Sequence, residues 1–225
     1  MCNHYSVKNP EEVLAIARRI AAAAEASWEA VADAWPKRPM PVVYVPEGKP
    51  TLAAMRWGVW PWYEDKPRLV TNARDDKLAT SRLWSQSAQS RRCLVPADGF
   101  FEPTGPSGAK WEVRFSFRDA RPFFFAGLWS ADPRETDRGF ALVTGKPNDL
   151  VAALPHDRMP VILDAAGADE WLHAPTLSPE RMQALLLPYP AAEMIREDMP
   201  RLERTTKAKP SPSVPPIAAQ QTELF

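Results

Sequence analysis

A series of short apolar segments between residues 93 and 144 constrains the fold more than any other feature. Within it, residues 111–117 alternate large apolar side chains with polar ones, and a period of two is typical of a strand with one buried face. Apolar runs at residues 93–96, 123–129 and 140–144 have the length of further strands. The spacing predicts an antiparallel sheet or barrel.

Helical signals flank this β-rich region. Asn9 and Pro10 place a capping residue and a first-turn proline ahead of an apolar periodic stretch. Shorter helices are predicted at residues 81–89, 168–173 and 178–187. Strands and helices that are not regularly interleaved favour the α+β class, with helices flanking the sheet.

The charge balance limits the kind of partner this chain can have. Lys and Arg number 28 against 28 Asp and Glu, so the net charge is zero, which excludes a histone-like protein that coats polyanions everywhere. Residues 66–92 carry seven basic and two acidic residues, a local excess of +5. This segment could line a phosphate path, or it could be an ordinary solvated basic stretch.

Targeting signals are missing from the sequence as it stands. No apolar run has the ~18–20 residues of a membrane span, and the first residues lack the pattern of a secretory signal. We therefore expect a cytosolic protein. Thiols stay reduced there, so Cys2 and Cys93, the two cysteines, are expected to be free.

Cys2 carries the most specific chemistry. Its small size permits removal of Met1, which leaves an α-amine with a pKa of ~7.7–8 beside a thiol with a pKa of ~8.5. The amine can condense with an aldehyde to an imine, and the thiol can then close on the imine carbon to give a thiazolidine. A lone cysteine is more often a small buried hydrophobe, so a structural role stays open.

Three polar residues set within apolar stretches add to this chemistry. Glu102 follows the apolar run 94–101, where desolvation raises the pKa of a carboxyl group and suits it to acid and base work. His156 stands at a turn beside Asp157, as a catalytic residue or as a structural histidine held by that aspartate. Asn72 could orient an amine or a sugar, or simply form a turn.

Five separated blocks of the sequence form a further pattern. They are Met1-Cys2, Trp57-Gly58 with Pro61-Trp62, Asn72-Ala73-Arg74, residues 92–102 (Arg-Cys-Leu-Val-Pro-Ala-Asp-Gly-Phe-Phe-Glu) and residues 156–160 (His-Asp-Arg-Met-Pro). In this order and spacing they resemble the SOS-response-associated peptidase (SRAP) family. The resemblance spans about residues 1–195.

The resemblance implies a single mixed domain, residues 1–204, around a largely antiparallel β-barrel-like core with a DNA groove that leads to Cys2. Family members recognise abasic sites in single-stranded DNA and form a stable thiazolidine crosslink, which shields the site during the DNA damage response. We further expect a monomer without cofactor or metal, in the bacterial cytoplasm and on the nucleoid when bound to DNA.

Roles follow from the resemblance by matching position. Cys2 is the nucleophile, Asn72 holds the reacting N-terminus or the deoxyribose, Glu102 manages proton transfers, and His156 assists opening of the sugar ring to its aldehyde. Arg74 is similar to a phosphate ligand of the family, and Trp62 to part of an aromatic wedge that displaces or stacks bases. The expected DNA-binding residues are Arg74, Trp62, Trp57, Lys77, Thr144 and Arg158.

The sequence departs from the family pattern in two places. Asn3-His4 stands where members commonly have Gly-Arg, which removes the expected phosphate contact at position 4. Pro103 replaces a Trp that often follows the glutamate, and this changes part of the pocket wall.

Three classes of function remain open on the sequence. The first is an abasic-site sensor that crosslinks to DNA, formally of the peptidase or hydrolase class and with lyase chemistry as an option. The second is a cysteine peptidase that acts on protein substrates or only removes its own Met1. The third is a noncatalytic DNA-repair adaptor.

The C-terminal stretch differs from the rest of the chain. Residues 205–225 are rich in proline and poor in apolar residues until the last five, Gln221 to Phe225 (Gln-Thr-Glu-Leu-Phe). We expect a disordered tail. Its end resembles the Gln-x-x-Leu-Phe peptide with which bacterial proteins bind the replication sliding clamp, although an incidental terminus is an equal alternative.

Overall fold

The computed structural model describes residues 2–21, 23–24, 33–66, 68–107, 109–131 and 138–199. The predicted tail, with its clamp-like end, lies outside those residues. The strands are β1 (Tyr5–Ser6), β2 (Ala23–Ala24), β3 (Asp33–Ala34), β4 (Pro39–Tyr44), β5 (Thr51–Trp57), β6 (Asn72–Arg74), β7 (Arg92–Ala97), β8 (Gly99–Thr104), β9 (Trp111–Phe117), β10 (Phe123–Ala131), β11 (Arg138–Gly145), β12 (Met159–Pro160), β13 (Ile162–Leu163) and β14 (Met194–Asp198). The helices are α1 (Pro10–Ile20), α2 (Ser85–Ser90), α3 (Asp149–Ala152), α4 (Ala165–His173) and α5 (Pro179–Leu185).

Five strands close into a barrel in the order β5-β4-β7-β10-β11 and back to β5. The pairs are antiparallel except for the closing one, in which Phe140 of β11 lies beside Trp57 of β5 in a parallel register. Alternate residues of β7 belong to different cores, since Val95 packs with Phe140 while Leu94 packs with Trp171 of α4. Burial on both faces explains why these strands read as continuous apolar runs.

A second sheet, of order β14-β9-β8-β1-β3, packs against the barrel. Tyr5 of β1 lies opposite Phe100 of β8, and both side chains belong to the same buried cluster as Phe125 of the barrel. The pairing of β1 with β8 places the N-terminal residues beside the end of β8 that carries Glu102. The α+β class and the β-barrel core are therefore as predicted.

The predicted helices are present with shifted ends, since α4 begins three residues before its predicted start and α5 ends two residues before its predicted end. Helix α1 begins after Asn9 as expected, but the helix predicted over residues 81–89 begins only at Ser85. The Ser81 hydroxyl accepts a hydrogen bond from the Leu83 amide at 3.2 Å, a local turn that delays the helix. No helix in the described part of the chain is long and apolar enough to span a membrane.

Candidate active site

Cys2 lies just before β1 and is wholly buried. Its Sγ donates a hydrogen bond to the main-chain carbonyl of His4 at 3.2 Å. Burial raises the pKa of the thiol far above its usual range, and the nearby Glu102 carboxyl group raises it further. The thiol is therefore held protonated at neutral pH.

The Asn72 side chain forms a hydrogen bond with the backbone of Cys2. As the first residue of β6 it is held by parallel pairing with Leu142 of β11, and its Nδ2 donates to the Cys2 carbonyl oxygen at 2.9 Å. Its Oδ1 is buried and has no hydrogen-bond partner in the described part of the chain. A buried acceptor of this kind is costly, and its position next to Cys2 suits a donor on a substrate or on the mature N-terminus.

The Thr71 side chain extends this contact, and no sequence motif predicts that it does. Its hydroxyl accepts from Asn72 Nδ2 at 3.0 Å and donates to the side-chain oxygen of Asn3 at 2.9 Å. An ordinary polar residue beside a motif carries no pattern of its own. Only the approach of β6 to the N-terminus shows that Thr71 supports Asn72.

Glu102 and His156 lie side by side in the site. The Glu102 side chain is fully buried on β8, and its Oε2 lies 3.3 Å from Nδ1 of His156. Burial raises the pKa of Glu102, and the nearby His156 partly offsets the rise. Nε2 of His156 contacts the Pro103 carbonyl oxygen at 2.6 Å, so it must donate, and the other ring nitrogen is left to share a proton with Glu102.

His4 is held by four neighbours. Its ring stacks between Trp35 and Phe101, with centroids 3.9 Å away on each side, while Nδ1 contacts the Glu112 carboxylate at 3.0 Å and Nε2 contacts Asp33 at 3.2 Å. The side chain is thus fixed inside the protein and turned to carboxylates, consistent with the loss of a phosphate contact at position 4.

The arginines expected at the DNA surface are paired with aspartates. Arg74 is half-exposed and donates to both carboxylate oxygens of Asp76, at 2.9 and 2.8 Å. Arg158 is buried, contacts Asp75, and donates to Oγ1 of Thr144 at 3.2 Å. Thr144 and Arg158 are therefore buried and do not form an open DNA-facing surface as predicted. Their polar groups bond to each other and to Asp75 instead. Lys77, at the end of the same turn, is exposed.

Trp62 lies in an exposed cluster with Tyr63 and Arg82. Mutual main-chain hydrogen bonds of 2.9 Å between Val59 and Val70 close the loop that carries it, and 46% of its surface is exposed. The ring of Tyr63 meets it edge-on at 5.5 Å, and the guanidinium of Arg82 lies over both rings. Arg82 was not predicted as a partner of Trp62, since a contact across twenty positions leaves no local signal.

Two residues of the aromatic and basic segments are placed differently from the predictions. Trp57 is completely buried against Phe140 and donates from its ring to the Thr71 carbonyl, so closure of the barrel removes it from any DNA-facing surface. Arg92 is also buried and donates to main-chain carbonyls, among them that of Trp171. The exposed positive charge of residues 66–92 is accordingly smaller than the sequence total.

Metal ligands are not grouped in this region. In the described part of the chain no three His, Cys, Asp or Glu side chains are arranged to hold a metal ion.

Comparison with known proteins connects this site to a family. The sequence profile of the family described as "SOS response associated peptidase (SRAP)" matches residues 1–200. The chain is 35% identical over 152 residues to the abasic site processing protein YoaM of Bacillus subtilis, covering 64% of this chain and 66% of that protein. It is 36% identical over 119 residues to the abasic site processing protein YedK of Escherichia coli, covering 52% of each chain. The chain thus spans about half to two thirds of these curated relatives.

Solved structures share the fold. A protein from Bordetella bronchiseptica superposes with a TM-score of 0.71 at 26% identity, covering 88% of this chain and all of that one. A protein from Bacteroides thetaiotaomicron gives a TM-score of 0.75 at 20% identity, covering 88% of this chain and 92% of that one. The second likeness speaks for the fold alone.

Proposed function

The chain belongs to the SOS response associated peptidase (SRAP) family, and from this premise we propose that it recognises abasic sites in single-stranded DNA and bonds to them covalently through Cys2 after loss of Met1. Relatives that are named abasic site processing proteins support the substrate. The observation that carries the proposal is the hydrogen bond from Asn72 Nδ2 to the Cys2 carbonyl oxygen. In the described part of the chain, Oδ1 of the same side chain is a buried acceptor without a hydrogen-bond partner.

The first step is attack by the amine. A free N-terminal α-amine ordinarily has a pKa of ~7.7–8, whereas burial holds the Cys2 thiol protonated. The amine is therefore the better nucleophile at neutral pH. It adds to the C1′ aldehyde of the opened sugar, oriented by Asn72 Oδ1, and loss of water gives an imine.

Glu102 and His156, whose side chains lie 3.3 Å apart, can supply the proton that is needed before and after the amine attacks. The pair can protonate the ring oxygen when the sugar opens, and it can protonate the departing oxygen when the imine forms. Burial raises the pKa of the Glu102 carboxyl group, so this group holds a proton more tightly than an exposed glutamate does.

The second step closes the ring. Sγ of Cys2 adds to the imine carbon and its proton passes to the imine nitrogen. Overall one C–N and one C–S bond form, the water lost in the first step carries the aldehyde oxygen and both amine hydrogens, and the thiol hydrogen ends on the ring nitrogen. The product is a thiazolidine that covers the abasic site and shields the strand from cleavage.

Turnover of protein substrates is the alternative, and the geometry favours it less. A cysteine peptidase needs a histidine that takes the proton of the thiol. Here both ring nitrogens of His156 are engaged by oxygens of Glu102 and Pro103, and the Cys2 thiol donates to a main-chain carbonyl. Removal of the chain's own Met1 remains compatible with this arrangement.

One experiment separates the two functions. The full-length protein is incubated with single-stranded oligonucleotides that carry or lack one abasic site, and separately with an unfolded protein substrate such as casein. We expect a denaturation-resistant adduct only with the abasic oligonucleotide and no cleavage of casein. The proposal fails if casein is cut and no adduct forms.

The tail leads to a separate prediction about partners. Deletion of Gln221 to Phe225 is expected to abolish binding to the bacterial sliding clamp, because a short apolar end on an extended segment is the type of peptide that docks in a partner's groove. The adduct yield should not change. Surface plasmon resonance on immobilised clamp measures the first effect, and equal affinity of the truncated and full chains would refute the prediction.

A further inference from the structure

Arg74 lies on the same strand as Asn72, the residue that contacts the Cys2 backbone. It follows Asn72 by two positions on β6, so the two side chains leave the same face of the strand about 6.8 Å apart. Ala73, between them, packs into the core on the other face. Asn72, which contacts Cys2, and the exposed guanidinium of Arg74 are therefore neighbours on one face of β6.

The Arg74 guanidinium already donates its hydrogen bonds to a carboxylate of the protein, that of Asp76. Asp76 receives two parallel hydrogen bonds from Arg74, the same planar fork that an arginine offers to a phosphate. Arg74 holds the pKa of Asp76 down to about 2, so the carboxylate stays charged at any pH at which DNA binding is measured. A phosphate must displace this carboxylate to use the same donors.

Other carboxylates reinforce the effect. The buried Arg158 is matched by Asp75 and lies 3.9 Å from a carboxylate oxygen of Asp76. Asp157 also contributes to the raised pKa of Arg74. Arg74 and Arg158 are thus both paired with carboxylates of the protein itself.

We propose that Asp76 is a specificity-determining residue that competes with DNA phosphates for Arg74 and so weakens binding to undamaged single strands. The inference rests on the proposed function, because it assigns the competition to the same DNA groove. Ordinary DNA then dissociates readily, and a strand is retained where an abasic site reacts with Cys2. Asp76 acts as an internal phosphate mimic.

The salt dependence of binding distinguishes competition from a structural role. When a phosphate displaces Asp76, the released carboxylate regains a cation from solution, so little net counterion release accompanies that contact. Without the carboxylate, the contact should add about 0.7 to the magnitude of the slope of log affinity against log salt, the value for one phosphate on a single strand.

The test measures binding of an undamaged fluorescent oligonucleotide by anisotropy, in a Cys2→Ala background so that no adduct can form. Asp76→Asn is expected to tighten binding about tenfold at about 50 mM salt and to steepen the salt slope. Adding Arg74→Gln should remove both gains. These readings do not depend on whether wild type forms an adduct, so failure of the inference is separable from failure of the proposed function.

Asp119→Asn is the matched control. Asp119 pairs with Arg121, again two positions away and on the surface, but the pair lies in the turn between β9 and β10, beyond the end of β9 that is far from Glu102. This variant should bind as the parent does. Unchanged or weaker binding by Asp76→Asn, or equal gains in both variants, would overturn the proposal.

Discussion

Replacing Cys2 by alanine is expected to reduce the denaturation-resistant adduct with abasic DNA to background. The substitution removes the sulfur that closes the ring and leaves an amine that can form only a reversible imine. Because the imine hydrolyses, the adduct should reappear only when borohydride is added to trap it. Gel electrophoresis with and without borohydride measures both states, and Cys2→Ser should behave in the same way.

Cys93→Ala is the control for this result. Cys93 is the other cysteine, is also wholly buried, and its pKa is also raised by burial. Each substitution removes one buried sulfur and should cost about 1 kcal/mol of unfolding free energy. Similar losses of stability, with full adduct yield only in Cys93→Ala, would separate chemistry from packing. A stable adduct in Cys2→Ala without borohydride would contradict the assignment.

Glu102→Gln should slow adduct formation by roughly 100- to 10,000-fold, the range for loss of a general acid or base. Glutamine keeps the shape of the side chain but cannot exchange a proton with His156. Single-turnover rates with abasic oligonucleotide, followed by quenched gel samples, give the effect. Initial binding of undamaged DNA should be unaltered, and a rate within about threefold of wild type would refute the role.

The same substitution has a predictable effect on stability. Burial raises the pKa of Glu102 in the folded protein, so the native state binds the proton more tightly than the unfolded chain does. Wild type therefore loses stability as pH rises above the unfolded value of about 4.3 towards the folded pKa. Glu102→Gln lacks this loss, so thermal melts should show its advantage growing with pH while its activity stays low.

Local rules account for much of the fold. Alternation over Trp111–Phe117 and the proline-led start of α1 after Asn9 depend on neighbouring residues alone, and both elements form as predicted. The meeting of Cys2, Asn72 and Glu102 could be anticipated only from the resemblance to a family. Their contacts depend on the parallel pairing of β6 with β11 and on the antiparallel pairing of β1 with β8, which no local pattern specifies.

Charge and exposure were the least predictable properties. Arg92 and Arg74 look alike in the sequence, yet one is buried against main-chain carbonyls and the other is bound to a neighbouring carboxylate. Trp57 and Trp62 are likewise similar in an aromatic stretch, but closure of the barrel buries the first and leaves the second on a loop. Such differences are set by tertiary packing, which cannot be predicted from the number of charged or aromatic residues in a segment.

Mass spectrometry of the adduct tests the central claim most directly. The adduct with an abasic oligonucleotide is digested with nuclease and protease, and the modified peptide is sequenced with and without prior borohydride treatment. We expect a peptide that begins at Cys2, without Met1, carries the sugar with loss of one water, and does not gain two hydrogens from borohydride. An adduct on a lysine, on a peptide that retains Met1, or as an imine that borohydride reduces would contradict it.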